Sequence, residues 1–226
     1  FIGTPIAFCL GLSALATALY MDLPPLIVFQ QINTGMNAFS MMAIPFFIFA
    51  GDLMIRGGIA EKLIHFAASL VGHLRGGLGQ VNVVSATLFG GISGSAVADA
   101  SAIGGLMIPQ MAARGYDRDY AVNVTVNAAI IALLIPPSHN MIIYSIAAGG
   151  NLSVADLFTA GILPGFLLAA ALMVTAWWVA RRRGYPADPF PGWRMVGWRL
   201  LVASPGILLI FIIFGGVRSG IFTATE

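Results

Sequence analysis

Six stretches of the chain carry no formal charge: residues 1–21, 23–51, 76–98, 120–155, 157–180 and 200–217. A helix that crosses a bilayer needs about 20 such residues, so every stretch is long enough to cross, or nearly so. Charged residues make up only 9% of the 226, against about 25% in soluble domains. That is too few to build a surface facing water. A soluble globular domain, a disordered chain, a collagen and a nucleic-acid binder are excluded; a net charge of +2 says nothing of polyanion partners. The stretches do not alternate polar and apolar residues, which excludes a β-barrel. The fold class is therefore all-α and integral to a membrane. Cys9 is the single cysteine and sits in an apolar run, so there is no disulfide framework and no thiolate metal site. The opening Phe1-Ile2-Gly3 lacks a basic leader and does not read as a signal peptide; the chain reads as a fragment of a longer one.

Prolines, glycines and charges divide these stretches into elements. A first span covers about residues 3–21 and stops at Asp22 and Pro24-Pro25, because proline removes a donor and disfavours the helix before it. Residues 26–39 are short and amide-rich, an external loop or an interfacial helix. A second span covers 40–55, with Pro45 as a kink. Residues 59–74 contain Glu61, Lys62, His65 and His73, with Ile59, Leu63, Phe66, Leu70 and Leu74 recurring on one side. This amphipathic helix is expected to lie in the interface. A short helix over 80–89 is interrupted by Gly90-Gly91-Ile92-Ser93-Gly94-Ser95, and a second piece over 100–113 ends at Arg114-Gly115. At about 1.5 Å per residue neither piece crosses a bilayer, so 80–114 reads as a re-entrant helical hairpin. Residues 119–149 form a broken helix, divided at Pro136-Pro137-Ser138. A clean span over 156–180 closes on Arg181-Arg182-Arg183, a loop covers 186–191, and a last span covers 200–216. Trp177, Trp178, Trp193 and Trp198 flank the arginines as an interfacial belt.

Counting the crossings checks this division. Five full spans, one interfacial helix and a hairpin that returns to its own side put Arg56, Lys62, Arg75, Arg114, Arg118, Arg181, Arg182, Arg183, Arg194 and Arg199 together. Only Arg218 lies opposite. The positive-inside rule makes the crowded side cytoplasmic, and the hairpin tip points up from it.

That tip carries the strongest chemical signal. Ser93, Ser95, Asp99 and Ser101 place three hydroxyls and a carboxylate at bilayer depth, where a charge is expensive and marks a functional path. The carbonyl end of one arm favours a cation and the amide end of the other favours an anion. Hydroxyls and unwound carbonyls are hard oxygen ligands, suited to Na⁺. The simpler reading is that Ser95 or Asp99 caps the second arm. The second break, Pro136-Pro137-Ser138-His139-Asn140, frees further carbonyls beside the Ser138 hydroxyl. Two breaks are what an ion site shared between discontinuous helices needs; a plain proline kink is the alternative. Asn123 and Asn127 share a face and either line the path or hydrogen-bond to neighbouring helices. His139 is either a proton relay or a satisfied interior residue. Gly91-Ile92-Ser93-Gly94 matches the short GxSG string of rhomboid-type intramembrane proteases, with His139 as nominal base. The string carries little information and would put the serine in a hairpin tip, so the chain reads as a non-enzyme. No Walker A string is present.

The run Gly90-Gly91-Ile92-Ser93-Gly94-Ser95-Ala96-Val97-Ala98-Asp99-Ala100-Ser101-Ala102-Ile103-Gly104 is followed by Ile108-Pro109 and Gly115-Tyr116. Gly3-Thr4-Pro5-Ile6-Ala7-Phe8, Ile44-Pro45-Phe46-Phe47, Gly76-Gly77-Leu78, Ile135-Pro136-Pro137-Ser138, Ala160-Gly161-Ile162-Leu163-Pro164-Gly165 and residues 215–226 complete an ordered set. Together they resemble the large membrane subunit, DctM type, of tripartite ATP-independent periplasmic (TRAP) transporters, in the ion transporter superfamily. The resemblance implies an elevator in a bacterial inner membrane. Residues 1–58 would be scaffold spans and 59–75 an interfacial arm. Residues 76–180 would be half of a transport domain, and 181–226 a cytoplasmic loop and the start of further scaffold. It implies a Na⁺ site formed by Ser93, Gly94 and Ser95 with Pro136, Pro137 and Ser138. Asp99, Ser101, Asn127 and Asn140 would lie along the substrate and ion path. No cofactor is expected beyond Na⁺ as the coupling ion. The expected partners are a small membrane subunit, a periplasmic solute-binding protein, the lipid bilayer and an organic acid such as a C4-dicarboxylate or sialic acid. A second, inverted half and a first helix are expected outside this chain. A carrier of the same superfamily working without a binding protein is the alternative.

Overall fold

A computed structural model describes residues 5–37, 39–149 and 152–221. The first residues of the expected 3–21 span and the end of the 215–226 run lie outside them. The described residues form ten α-helices: α1 (Ile6–Tyr20), α2 (Leu26–Met36), α3 (Ala43–Arg56), α4 (Ile59–Val71), α5 (Gly77–Ser93), α6 (Ala96–Ala113), α7 (Arg118–Ala129), α8 (His139–Ala147), α9 (Val154–Arg183) and α10 (Trp193–Ser219). By length and apolarity α9 and α10 each suffice for a crossing, and α3 with α4 makes an apolar pair bent by 69°. The other expected crossings are shorter: α1 has 15 residues, and the broken helix is divided between α7 and α8. Antiparallel α9 and α10 keep Arg218 beside Thr159, Nη1 to Oγ1 at 3.1 Å, at the end away from Arg181–Arg183.

The hairpin is present, but its arms are longer than expected. α5 has 17 residues and runs through Gly90 and Gly91; α6 has 18 and starts at Ala96. At about 1.5 Å per residue the arms extend about 25 and 27 Å, close to the 30 Å hydrocarbon core. The double glycine is therefore not the break. A β-carbon on Gly90 would lie 2.8 Å from the Ala132 α-carbon, and one on Gly91 would lie 3.2 Å from Ile135. These glycines let the broken helix approach α5, and only Gly94 and Ser95 separate the arms. Asn82, near the base of α5, faces Met111 of α6, whereas Ser93 faces Asp99 at the tip, so the arms are antiparallel.

The apolar stripe of α4 is covered by protein: Leu63 and Phe66 are buried in the main core with Leu78, Ala203 and Met107, and α4 lies against α5 and α10. Glu61, Lys62 and His65 stay exposed. His73 falls beyond the helix, edge-on to Phe190 at 5.2 Å. α10 begins at Trp193, earlier than expected, which puts Trp193, Arg194, Trp198 and Arg199 on the helix itself. The Arg181 and Arg182 guanidinium groups lie 5.5 Å and 3.9 Å over the Trp177 and Trp178 rings.

The end rich in basic residues is clasped. The Tyr116, Tyr120 and Tyr185 rings cluster at centroid distances of 4.4–6.1 Å. Tyr120 donates to the Ala176 carbonyl at 3.1 Å and Tyr116 to that of Pro186 at 3.2 Å. Arg114 pairs with Asp188, whose amide donates to the Gly72 carbonyl at 3.2 Å. Arg183 and Tyr185 both donate to Asp117, at 2.6 and 2.8 Å. The segment after α9 is thereby fastened to the base of the hairpin.

Candidate functional site

The hairpin tip and the break in the second helix meet. After α7 the chain tightens into one 3₁₀ turn, Ile130–Leu133, and resumes as α8 at His139. The break thus covers residues 134–138, wider than the prolines alone. The His139 amide donates to the Gly94 carbonyl at 3.4 Å. Gly94 adopts φ 58°, the left-handed region that only glycine enters without strain, and a β-carbon there would collide with the Pro137 carbonyl oxygen. The junction packs against the interior of α9, not its ends: Gly161 approaches the Leu134 carbonyl and Gly165 approaches Ile135. From α3, Gly51 comes close to the Ser93 backbone, and Phe47 lies 5.9 Å from the His139 ring.

Ser93, Ser138 and Asp99 are all buried here. The Ser93 hydroxyl donates to Asp99 Oδ1 and accepts from the Ser95 amide at 3.3 Å. Ser95 caps α6, accepting from the Ala98 amide at 3.4 Å, which is the capping role its position allowed. Asp99 does not act as a simple cap: it bridges the two arms, and its Oδ2 has no partner among the described residues. The Ser138 hydroxyl donates to the Leu133 carbonyl at 2.9 Å and so closes the break on itself. Buried hydroxyl, carboxylate and carbonyl oxygens from two chain breaks form a donor set fit for a small hard cation.

The structure thus brings Ser93, Gly94, Ser95, Pro136, Pro137 and Ser138 together with Asp99. It does not bring in Ser101, Asn127 or Asn140, all of which are exposed. Ser101 lies on the outer side of α6 and Asn140 on that of α8. Asn127 donates to the Asn123 carbonyl one turn back, as Asn123 does to Asp119, both at 2.8 Å. Among the described residues neither amide reaches another helix; with Tyr120 and Thr175 they line a shallow cavity of ≈ 160 Å³. The nominal protease pair is not formed, since Ser93 is directed to Asp99 and His139 Nε2 has no partner among the described residues.

Two polar residues inside α5 carry no motif in the sequence but have a structural role. Gln80 donates to the Met173 carbonyl at 2.9 Å, and Asn82 donates to Thr125 Oγ1 at 2.6 Å, so α5 is tied to α9 and α7 beneath the tip. Their signal was available: amides within a charge-free stretch that must find partners away from water.

Comparison with known proteins agrees with this architecture. The family model "Tripartite ATP-independent periplasmic transporter, DctM component" matches residues 1–226. The uncharacterized protein YgiK of Salmonella typhimurium is 45% identical over 100% of this chain and 52% of its own length. The C4-dicarboxylate TRAP transporter large permease protein DctM of Rhodobacter capsulatus is 38% identical over 99% of this chain and 54% of its own. The sialic acid TRAP transporter large permease protein SiaM of Vibrio cholerae is 40% identical over 100% and 53%. The chain therefore spans about half the length of these relatives. A match that runs the whole chain, on a helical membrane fold with the hairpin and broken helix in place, shows that the chain belongs to the DctM component family of the tripartite ATP-independent periplasmic transporters.

Proposed function

We propose that this chain supplies half of the large permease subunit of a Na⁺-coupled importer of organic acids. The observation that carries the reading is the meeting of the two chain breaks, with Gly94 seated on Pro137 and bonded to His139. Na⁺ is transported with the substrate. Its binding at Ser93, Gly94, Ser95 and the Pro136–Ser138 break orders the hairpin against the broken helix and completes an organic-anion site. The loaded domain then moves as an elevator against a scaffold, and the half-loaded domain does not. In this reading residues 1–58 belong to the scaffold, 59–75 to a connecting arm, 76–180 to the transport domain and 181–226 to a loop and further scaffold. The relatives named for C4-dicarboxylate and sialic acid support a carboxylate substrate. A small membrane subunit and a periplasmic solute-binding protein complete the assembly in a bacterial inner membrane.

The test is uptake by the complete transporter in proteoliposomes as a function of Na⁺. Replacing Ser93 and Ser95 by Ala raises the Na⁺ concentration for half-maximal uptake. An unchanged Na⁺ dependence overturns the site, and uptake by the unaltered transporter without Na⁺ overturns the coupling ion.

A further inference from the structure

Asp99 is the one carboxylate buried at the tip, and no step above uses it. It is fully enclosed, at 0% exposure. Its Oδ1 accepts the Ser93 hydroxyl proton from the opposite arm, and its Oδ2 lies beside Gly90, where an added β-carbon would stand 3.1 Å away. A serine hydroxyl has one proton and two lone pairs. At Ser93 the proton goes to Asp99 and one lone pair takes the Ser95 amide. The other lone pair stays open. Without Asp99, the other acceptor within reach of the hydroxyl is the Ser95 carbonyl at 3.5 Å, which already accepts the Asp99 amide at 3.0 Å as the first bond of α6. A hydroxyl turned that way points its proton into the tip, where a cation needs a lone pair.

We infer that Asp99 is a positioning residue: it draws the Ser93 proton away from the tip, so that a lone pair of the Ser93 hydroxyl remains open for the cation. The inference rests on the Na⁺ reading above. It assigns Asp99 an acceptor's role that an uncharged acceptor can fill, and not the role of a counter-charge to the ion. Gly90 leaves room for this arrangement, since a β-carbon there would press on Asp99 Oδ2 as well as on Ala132.

The experiment measures Na⁺-dependent uptake in the reconstituted complete transporter for Asp99→Asn, Asp99→Ala, Ser93→Ala and the Ser93→Ala/Asp99→Ala pair. Asn keeps an acceptor at the Oδ1 position, so Asp99→Asn holds the half-saturating Na⁺ concentration within about twofold. Asp99→Ala strands the Ser93 proton and raises that concentration about tenfold, the upper end for one ordinary hydrogen bond. The double variant, with no partner left stranded, matches Ser93→Ala alone. If Asp99→Asn is as damaging as Asp99→Ala, charge is what matters and the positioning role is overturned. If the two losses multiply in the double variant, Asp99 acts independently of Ser93 and the role is likewise overturned. Should Asp99→Ala fail to assemble, the comparison of Asp99→Asn with wild type still decides. Uptake by wild type without Na⁺ instead removes the coupling reading itself, and is separately visible.

Discussion

Gly94 meets two demands at once. Its φ of 58° lies where a residue with a β-carbon pays about 1–2 kcal/mol, and its α-carbon rests on the Pro137 carbonyl, where overpacking costs about 1–3 kcal/mol. Gly94→Ala is expected to lower the melting temperature of the purified protein and to separate the tip from the break. Gly105 is the control: it sits on α6 with open space around it, so Gly105→Ala should melt with wild type or slightly above it. If Gly94→Ala also melts like wild type, the tip is not seated on the break. This contrast shows what the residues alone could tell. The dense glycines of 90–95 mark a special backbone around Ser93 to Ser95. Which glycine bends the chain and which ones admit a neighbour depends on Ala132 and Ile135, some forty residues downstream, and no local pattern records that. Asp99 is legible as a buried charge, but its partner Ser93 is not, because their bond depends on a turn only two residues wide, Gly94-Ser95.

Between elements, the clasp joining the base of the hairpin to the segment after α9 has two layers of unequal strength. The outer layer is ionic. The Asp117 carboxyl is held below its ordinary value, first by the Tyr185 hydroxyl and then by the Arg183 guanidinium. A lowered value means that this contribution is fully present above the ordinary carboxylate range, near 4, and is lost as the pH falls through the lowered value. Asp117→Asn should therefore flatten the acid side of the melting profile while changing little at neutral pH, as exposed pairs do. The inner layer is aromatic. Tyr185 is buried between Tyr116 and Tyr120, and Tyr185→Ala should cost about 3 kcal/mol or more, visible as a melting shift at every pH. A Tyr185→Ala melt no lower than that of Asp117→Asn would reverse this ranking. The clasp was invisible in the sequence. Its tyrosines lie up to 69 positions apart, between Tyr116 and Tyr185, and each alone reads as an ordinary interfacial aromatic. The helices it joins were legible, because proline, glycine and charge mark their ends within a few residues.

Across the whole molecule, an apolar stripe tells that a helix face is covered but not by what. The stripe of α4 suits a lipid interface and a protein interior equally, and α5 and α10 are what cover it. Sidedness depends only on the order of elements and on where the basic residues fall. The structure gathers Arg114, Arg183 and Arg199 at one end through their contacts with Asp188, Asp117 and the His65 carbonyl. Arg218 binds Thr159 at the other. The consequence is directional and can be measured. With Cys9 replaced by Ser, a single cysteine at Ala187, exposed beside the clasp, should react with a membrane-impermeant maleimide only from the cytoplasmic face. One at Leu152, exposed ahead of α9, should react only from the opposite face. Because α9 joins these two positions, labelling of both from one side would mean that α9 does not cross, and the division of basic residues between the two faces would lose its physical basis.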